Sequence, residues 1–558
     1  MNKTLKRCLA LLLAAAMLVT CLAACGGKDN SSTSSESSSS QPEESKDDSS
    51  SQEESSSEPA ETGTGLPLTT DDVTIRVWYN VGSSAGLSDY NESDFYQWLE
   101  EKTGVHAEWI MPVEGTENES FNLLFASDNM PDIVQNQMLY GRQYPSGPDV
   151  AISDGIWLKL NDYENIMPNY MALVNANPLL QKNTITDEGN RWCFFYLYKG
   201  ENGRKGNMGP AIRKDFLDKV NMEVPVTFDD WHDVLKAFKE QLNVEIPLFY
   251  STAENDGTSG YSEFMTGFGT AREFFVDGST VKYGPMEDGY KDYLDTFKQW
   301  YSEGLIDQSF STRGGTLDDD LILNDKVGAN ASTYASWCGD QYYPSRGSAN
   351  EDFNLVGAPI PVKKAGDETH LRNPDILTNA VEMAISAETK YPELCVKWMD
   401  YQYGEDASLV ANFGNREGES YTIESDGTYK WGELITNNPD GLSVAQARTK
   451  YTTLNAPYED YNRVMGSWTE DQLAAQKTWT ASKDDGVIPT AVTMSEAEQD
   501  EYSSIMSDIT TYVAEYTVNT IMGQDTQDFD AFREQLKSMG IERATELKQA
   551  GVDRYNQR

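Results

Sequence analysis

The apolar and polar positions of this chain alternate between two periods. VTIRVWYN (Val73–Asn80) is rich in β-branched and aromatic residues and predicts a strand. DFYQWLEEKTG (Asp94–Gly104) places Phe95, Trp98 and Leu99 on helical spacing and ends on a glycine, which predicts a helix and its stop. VHAEWIMPV then reads as a second strand, so the three pieces form a βαβ unit and imply a parallel sheet. ESFNLLFASDNMPDIVQ repeats the theme: a short helix, a turn at Asn129-Met130-Pro131, and a buried strand starting at Asp132. VPVTFDDWHDVLKAFKEQ carries the clearest helix start. Thr227 can cap it, Asp230 stands three residues on, and Phe228, Trp231, Val234, Leu235 and Phe238 share one face. That stripe reads as core packing. Near the C-terminus, Tyr502, Ile505, Met506, Ile509, Tyr512, Val513 and Tyr516 recur at helical spacing. The fold class is α/β in alternating order, without internal repeats.

The N-terminal segment follows a different pattern. Lys3, Lys6 and Arg7 precede an apolar run from Leu9 to Ala24 that falls short of the ~20 residues a bilayer span needs. A basic start, a short apolar stretch and small residues at its end describe a secretory signal. Leu22-Ala23-Ala24-Cys25 resembles the bacterial lipobox. That resemblance implies lipidation of Cys25, a signal peptide over 1–24, and a protein anchored by lipid to the extracellular face of the cell membrane. Cys8 and Cys21 lie in the removed segment. From Ser31 to Ser57 serine dominates with scattered acids, and such a segment cannot bury enough surface to offset its ordering entropy. Residues 25–65 therefore read as a disordered tether, and about 35 flexible residues reach roughly 30–35 Å.

Composition narrows the function. About 490 residues remain beyond the tether, enough for two or three units. The formal net charge is −46, of which about −41 falls on the folded part. So acidic a surface argues against nucleic acid, which needs Lys/Arg stripes, and reads as solubility outside the cell. Cys193, Cys338 and Cys395 form no CxxC pair and read as buried small hydrophobes, with one disulfide as the alternative. His106, His232 and His370 are the only histidines, which limits metal and acid–base chemistry. HExxH, the phosphate-binding GxxxxGK[ST] and a GxGxxG opening a helix are all missing. Gly82-Ser83-Ser84-Ala85-Gly86 matches G-x-S-x-G, but the following helix starts too late, no earlier strand can supply an oxyanion donor, and none of the histidines stands in a suggestive context. It reads instead as a loop at the carboxyl end of a first strand, the place where open α/β sheets bind ligands.

Several stretches, in order along the chain, resemble a known family. They are ASDNMPDIV (Ala126–Val134), GIWLKLNDYENIMPNY (Gly155–Tyr170), IRKDFLDKVNMEVPVTFDDWHDVLKAFKE (Ile212–Glu240), KYPELCVKWMDYQYGEDASLVANFGNREG (Lys390–Gly418) and DFDAFREQLKSMGIERATELKQAGVDRYN (Asp528–Asn556). With the lipobox they resemble the bacterial extracellular solute-binding lipoproteins of ABC transporters, of the carbohydrate-binding, family 1-like group large in Gram-positive bacteria. The resemblance implies a type II periplasmic-binding-protein-like fold: two α/β lobes, each a sheet flanked by helices, joined by hinge crossings, with a ligand cleft between them. It places 66–205 plus 374–424 in lobe I and 206–373 plus 425–558 in lobe II. It implies capture of an oligosaccharide and delivery to an ABC permease by a monomer that is not an enzyme and needs no cofactor. Many relatives carry a calcium loop before an E-I-P tripeptide; here FKEQLNVEIPLFY reaches Glu245-Ile246-Pro247 without one, so no metal is expected there.

A sugar offers hydroxyls at its edges and C–H groups on its faces, so a receptor needs polar groups and flat rings. Among 12 Trp and 30 Tyr, the candidates are those at predicted strand ends. They are Trp78 and Tyr79 at the first strand, Tyr140 together with Gln135 and Asn136 after PDIV, and Trp337 in the YASWCGD loop after the small-residue strand VGANAS. Asn415 and Arg416, in FGNREG, lie where the resemblance places the approach to the cleft. Asn136 or Arg416 would orient hydroxyls or a uronate. Two other readings compete: a receptor for a peptide or other non-sugar solute on the same scaffold, and a secreted glycan hydrolase.

Overall fold

The expected βαβ unit opens the folded part. Strand β1 (Val73–Trp78) pairs in parallel with β2 (Val105–Ile110), from Val73 opposite Val105 to Trp78 opposite Ile110. The helix Asp94–Thr103 connects them and stops at Gly104, whose φ of 71° is left-handed. The computed structural model describes residues 65–81, 86–126, 129–138, 141–145, 147–250, 263–313, 319–425 and 427–558. They belong to one unit, Thr64–Arg558. The expected signal peptide, the expected lipidation site at Cys25 and nearly all of the expected tether lie outside the described residues. So do Tyr140 and the Gly82–Ala85 part of the G-x-S-x-G match.

The remaining strands are β3 (Ile133–Asn136), β4 (Phe194–Tyr198), β5 (Met208–Arg213), β6 (Ile246–Phe249), β7 (Phe274–Asp277), β8 (Thr280–Tyr283), β9 (Val327–Tyr334), β10 (Leu355–Gly357), β11 (Thr378–Ile385), β12 (Tyr421–Ile423), β13 (Tyr429–Trp431) and β14 (Tyr458–Glu459). A six-stranded sheet runs β14-β4-β11-β3-β1-β2, and a four-stranded sheet runs β10-β5-β9-β6. Hairpins β7–β8 and β12–β13 stand apart. Each large sheet has its own core. One centres on Ile75, Val77, Phe95, Val134, Leu197 and Val396, the other on Trp231, Phe238, Leu248, Phe297, Ile509 and Phe532. This is the two-lobed α/β fold.

The sequence reading differs from the structure in two respects. The first sheet is mixed rather than parallel, because β11 lies antiparallel between β3 and β4. It enters from the other lobe, and so runs against the strands of the opening βαβ series. The lobe limit expected at 424/425 also conflicts with sheet membership: β14 pairs in parallel with β4, from Tyr458 opposite Leu197. The chain thus stays with the first sheet until about residue 466, and the helix Glu470–Trp479 is the first element to join the second. There Trp479 Nε1 donates to the carbonyls of Pro210 and Ala358, each at 3.0 Å.

The helices follow their expected chemistry. Thr227 and Asp230 form a reciprocal capping box at the start of the helix Phe228–Leu242, which buries the anticipated stripe. The C-terminal helix Glu496–Ile521 buries Met506, Ile509, Val513 and Tyr516. Cys193, Cys338 and Cys395 are buried and free. Among the described residues no helix is long and apolar enough to cross a membrane, and no group of acids, histidines and cysteines is arranged to hold a metal ion.

Candidate functional site

Strand direction brings one end of each sheet to the crossings. In the first sheet β1, β3, β4 and β14 finish at the same end, and antiparallel β11 begins there. In the second, β5 starts at its crossing-side end, where Met208 pairs with Tyr334 at the finish of β9. The chain passes between the sheets after β4, before β11 and after β14.

Two of these passes are zipped together. Arg204 and Ile376 exchange backbone hydrogen bonds, both at 2.9 Å. A Cβ on Gly203 would lie 2.2 Å from the Ile376 carbonyl, and one on Gly206 would lie 2.1 Å from that of Asn373, so only glycine lets the strands approach so closely. Asp375 binds Lys205 Nζ at 2.6 Å, Arg372 Nη1 at 2.9 Å and the Gly206 N–H at 3.0 Å. Burial works to raise its pKa, but the Lys205, Gly206 and Arg372 hydrogen bonds outweigh this and hold it below the ordinary value.

The second sheet presents rings at this end. Trp337, in a 3-10 turn directly after β9, stacks on Tyr342 at 5.8 Å and meets Tyr334 edge-on at 5.2 Å. Trp468 packs in the same apolar cluster and meets Tyr461 edge-on at 6.3 Å. Tyr461 accepts a hydrogen bond from Asn207 Nδ2 at 3.2 Å. Trp337, Tyr334, Tyr342, Trp468 and Tyr461 are all half-buried, so each keeps part of its ring open.

The first sheet presents buried polar groups instead. Gln135 Oε1 accepts from the Asn80 N–H at 2.8 Å, while its Nε2 has no partner. Asn136 Nδ2 donates to the Val134 carbonyl at 3.2 Å, while its Oδ1 has none. Glu382, opposite Asn136 on β11, accepts from the Met138 N–H at 2.9 Å, and burial pushes its pKa up to about 8. Beyond it, Glu459 is buried close to Arg204, Arg448 and Arg463. Burial raises the Glu459 pKa against the pull of the arginines. The Arg204 guanidinium lies 5.6 Å from both the Tyr198 and Tyr461 rings. Arg448 lies 5.7 Å from the Trp431 ring, and burial, then the Arg463 charge, lowers its pKa to about 10.

The expected site residues therefore separate. Gln135 and Asn136 stand at the crossing-side end of the first sheet, and Trp337 at that of the second. Trp78 and Tyr79 end β1 as expected, but neither ring has an open face: Trp78 packs edge-on against Phe121 and donates to Ser120, and Tyr79 stacks on Tyr90 and meets Trp109. Both are core. Asn415 is exposed, and Arg416 pairs with Asp94 at 2.6 Å, at the start of the helix that follows β1. Tyr140 is not among the described residues. Tyr461 and Trp468 escaped the sequence reading because the third crossing fell inside the stretch assigned to lobe II, and Arg204, at the end of the stretch assigned to lobe I, was not among the candidates. The signal was in DYNRVMGSW (Asp460–Trp468), an aromatic and basic stretch just before a capped helix.

No protein-family model matches the chain. It is 23% identical over 529 residues to the fructooligosaccharide ABC transporter substrate-binding protein FusA of Streptococcus pneumoniae, a match covering 89% of this chain and 94% of that protein. Among solved structures, an HMO-binding, ABC-transporter-associated solute-binding protein from Bifidobacterium longum infantis superposes with a TM-score of 0.70 at 19% identity, covering 87% of this chain and 99% of the other. The alginate-binding protein AlgQ2, without calcium ion, gives 0.65 at 22% identity, again over 87% and 99%. In fold, and in sequence over nearly its whole length, the chain is similar to the two-lobed solute-binding proteins of ABC transporters.

Proposed function

We propose that this chain is an extracellular receptor that captures an oligosaccharide between its lobes and delivers it to an ABC permease without altering it. What supports this reading is the chemistry at the two crossing-side sheet ends, open rings on one and unpartnered buried amides on the other. Rings stack on the C–H faces of a sugar, and amides and guanidiniums take its hydroxyls. A buried amide without a partner costs about 1–3 kcal/mol, so Gln135 and Asn136 suit a site that a ligand completes. The ligands named for the relatives, a fructooligosaccharide and alginate, extend the reading to this chain.

In this proposal, Cys25 carries the lipid, the serine-rich segment supplies slack, and hinge closure over the ligand creates the surface the permease recognises. The test is a glycan screen read by thermal melting. Binding stabilises by RT ln(1 + [L]/Kd), about 2.7 kcal/mol at a hundredfold excess over Kd, so the right oligosaccharide raises the melting temperature. A broad screen without a shift, or new reducing ends appearing on incubation with polysaccharide, would overturn the reading. Replacing Cys25 with serine should release the protein from the cell into the medium.

A further inference from the structure

Three guanidiniums, those of Arg204, Arg448 and Arg463, share one region beside Glu459 at the crossing-side end of the first sheet. Arg463 is 1% exposed. Its Nη2 donates to Thr452 Oγ1 at 3.1 Å and to the Thr453 carbonyl, while its Nε and Nη1 are buried and have no partner. Arg448 Nε and Arg204 Nε are also buried and unpartnered. Glu459 interacts with the arginines through space, yet its only hydrogen-bond donor among the described side chains is Asn379 Nδ2, at 3.4 Å.

The charge count does not close. Three cations face one carboxylate, and burial leaves that carboxylate less able to ionise. Buried charges ordinarily pair or hold a ligand, because an isolated one loses its hydration without compensation. Guanidinium forks match planar, two-oxygen acids best. Arg204 and Arg448 are half-buried and can be reached from outside, with Arg463 behind them. Tyr461 joins this region to the rings: it lies beneath Arg204 and edge-on to Trp468.

We infer that the site takes an acidic sugar, with Arg204 and Arg448 gripping a carboxylate of the ligand while Trp468 and Trp337 stack on its rings. The ligand class is a uronate-bearing oligosaccharide rather than a neutral one. This rests on the oligosaccharide reading above, and the experiment separates the two.

Thermal melts at fixed ionic strength compare glucuronate with glucose, and trigalacturonate with its methyl ester and with maltotriose, for the wild type and for Arg448→Gln and Arg204→Gln. Both positions are half-buried, so the variants can be checked for folding by circular dichroism. The expected result is stabilisation by glucuronate and trigalacturonate, at least tenfold weaker binding of the methyl ester, and loss of the acid preference in both variants. A neutral sugar that stabilises the wild type as well as the acids do, or equal shifts in wild type and variants, overturns the inference and leaves the sugar reading standing. A glucuronate shift that Arg448→Gln removes, with no oligosaccharide of either kind binding, supports the anion site and counts against the oligosaccharide. No shift with any probe overturns the acidic-sugar inference.

Discussion

The two sheets meet the crossings with opposite chemistry. The four-stranded sheet brings half-buried rings: Trp337, Tyr342 and, through the third crossing, Trp468. The six-stranded sheet brings Gln135, Asn136, Glu382 and Glu459, all buried and polar. The difference is one of elements. Strand β9, VGANASTY, is mostly small residues, so its bulk comes at its last residue, Tyr334, and in the turn after it. The first sheet instead places Gln135 and Asn136 at the end of β3, Glu459 at the end of β14 and Glu382 opposite Asn136 on β11, at positions a core would normally fill with apolar groups. A clamp with flat apolar surface on one jaw and directional hydrogen-bonding groups on the other can hold a ring by its face and its edge at once.

If the jaws act as one clamp, the zipped crossing is its weakest link. Gly203→Ala would force a Cβ onto the Ile376 carbonyl at a φ of 63°, so both geometry and space oppose it. It should show the largest effect: a fall of several degrees in melting temperature, together with lost ligand binding. Unchanged binding would mean the jaws work separately. Next come the jaws themselves. Trp337→Ala should weaken oligosaccharide binding by roughly 10–100-fold, in the range of aromatic anchors in buried patches. Asn136→Ala should weaken it less, by about 0.5–1.5 kcal/mol, the net value of one hydrogen bond. Calorimetry on both variants ranks the jaws, and the reverse order would break the comparison.

Glu382 offers a test that needs no ligand. Its pKa is raised by burial from 4.5 to about 8, so the folded state holds a proton the unfolded chain releases. Stability from this group is complete below about pH 4.5 and is lost as the pH climbs toward 8, by an amount on the order of a few kcal/mol. Glu382→Gln should flatten the decline in melting temperature between pH 5 and pH 9. Parallel profiles for variant and wild type would show that the polar jaw carries no such proton.

Much of this was legible from periodicity. The βαβ opening, the Thr227 capping box and the C-terminal amphipathic helix depend on local rules, and local rules are written in contiguous residues. What escaped depends on contacts far apart in sequence. Strand β11 is an ordinary strand until its partners are known, and only its antiparallel place between β3 and β4 makes the sheet mixed. Strand β14 has just two residues, too few for an alternation to register, and missing it moved the third crossing, with Tyr461 and Trp468, into the wrong lobe. Trp78 and Tyr79 sit at a strand end, where ligands bind, but so do core residues under a loop. No pattern in the sequence distinguishes a ring that stacks on Tyr90 from one that would stack on a sugar.

The smallest effect belongs to Arg416, the expected cleft arginine. It spans to Asp94 at 2.6 Å, and its side chain is 44% exposed. Its guanidinium also lies 5.3 Å from the Tyr451 ring. A partly exposed ion pair contributes about 0–1 kcal/mol and is screened by salt. Exposed, and with its charge matched by Asp94, Arg416 has none of the buried, unpartnered donors that mark Arg204, Arg448 and Arg463. Arg416→Ala should therefore change the melting temperature by no more than about a degree and leave ligand affinity within roughly twofold. A large loss of affinity there, with Arg448→Gln neutral, would move the anion contact from the crossing to the start of the helix Asp94–Thr103, and with it the orientation of the ligand between the jaws.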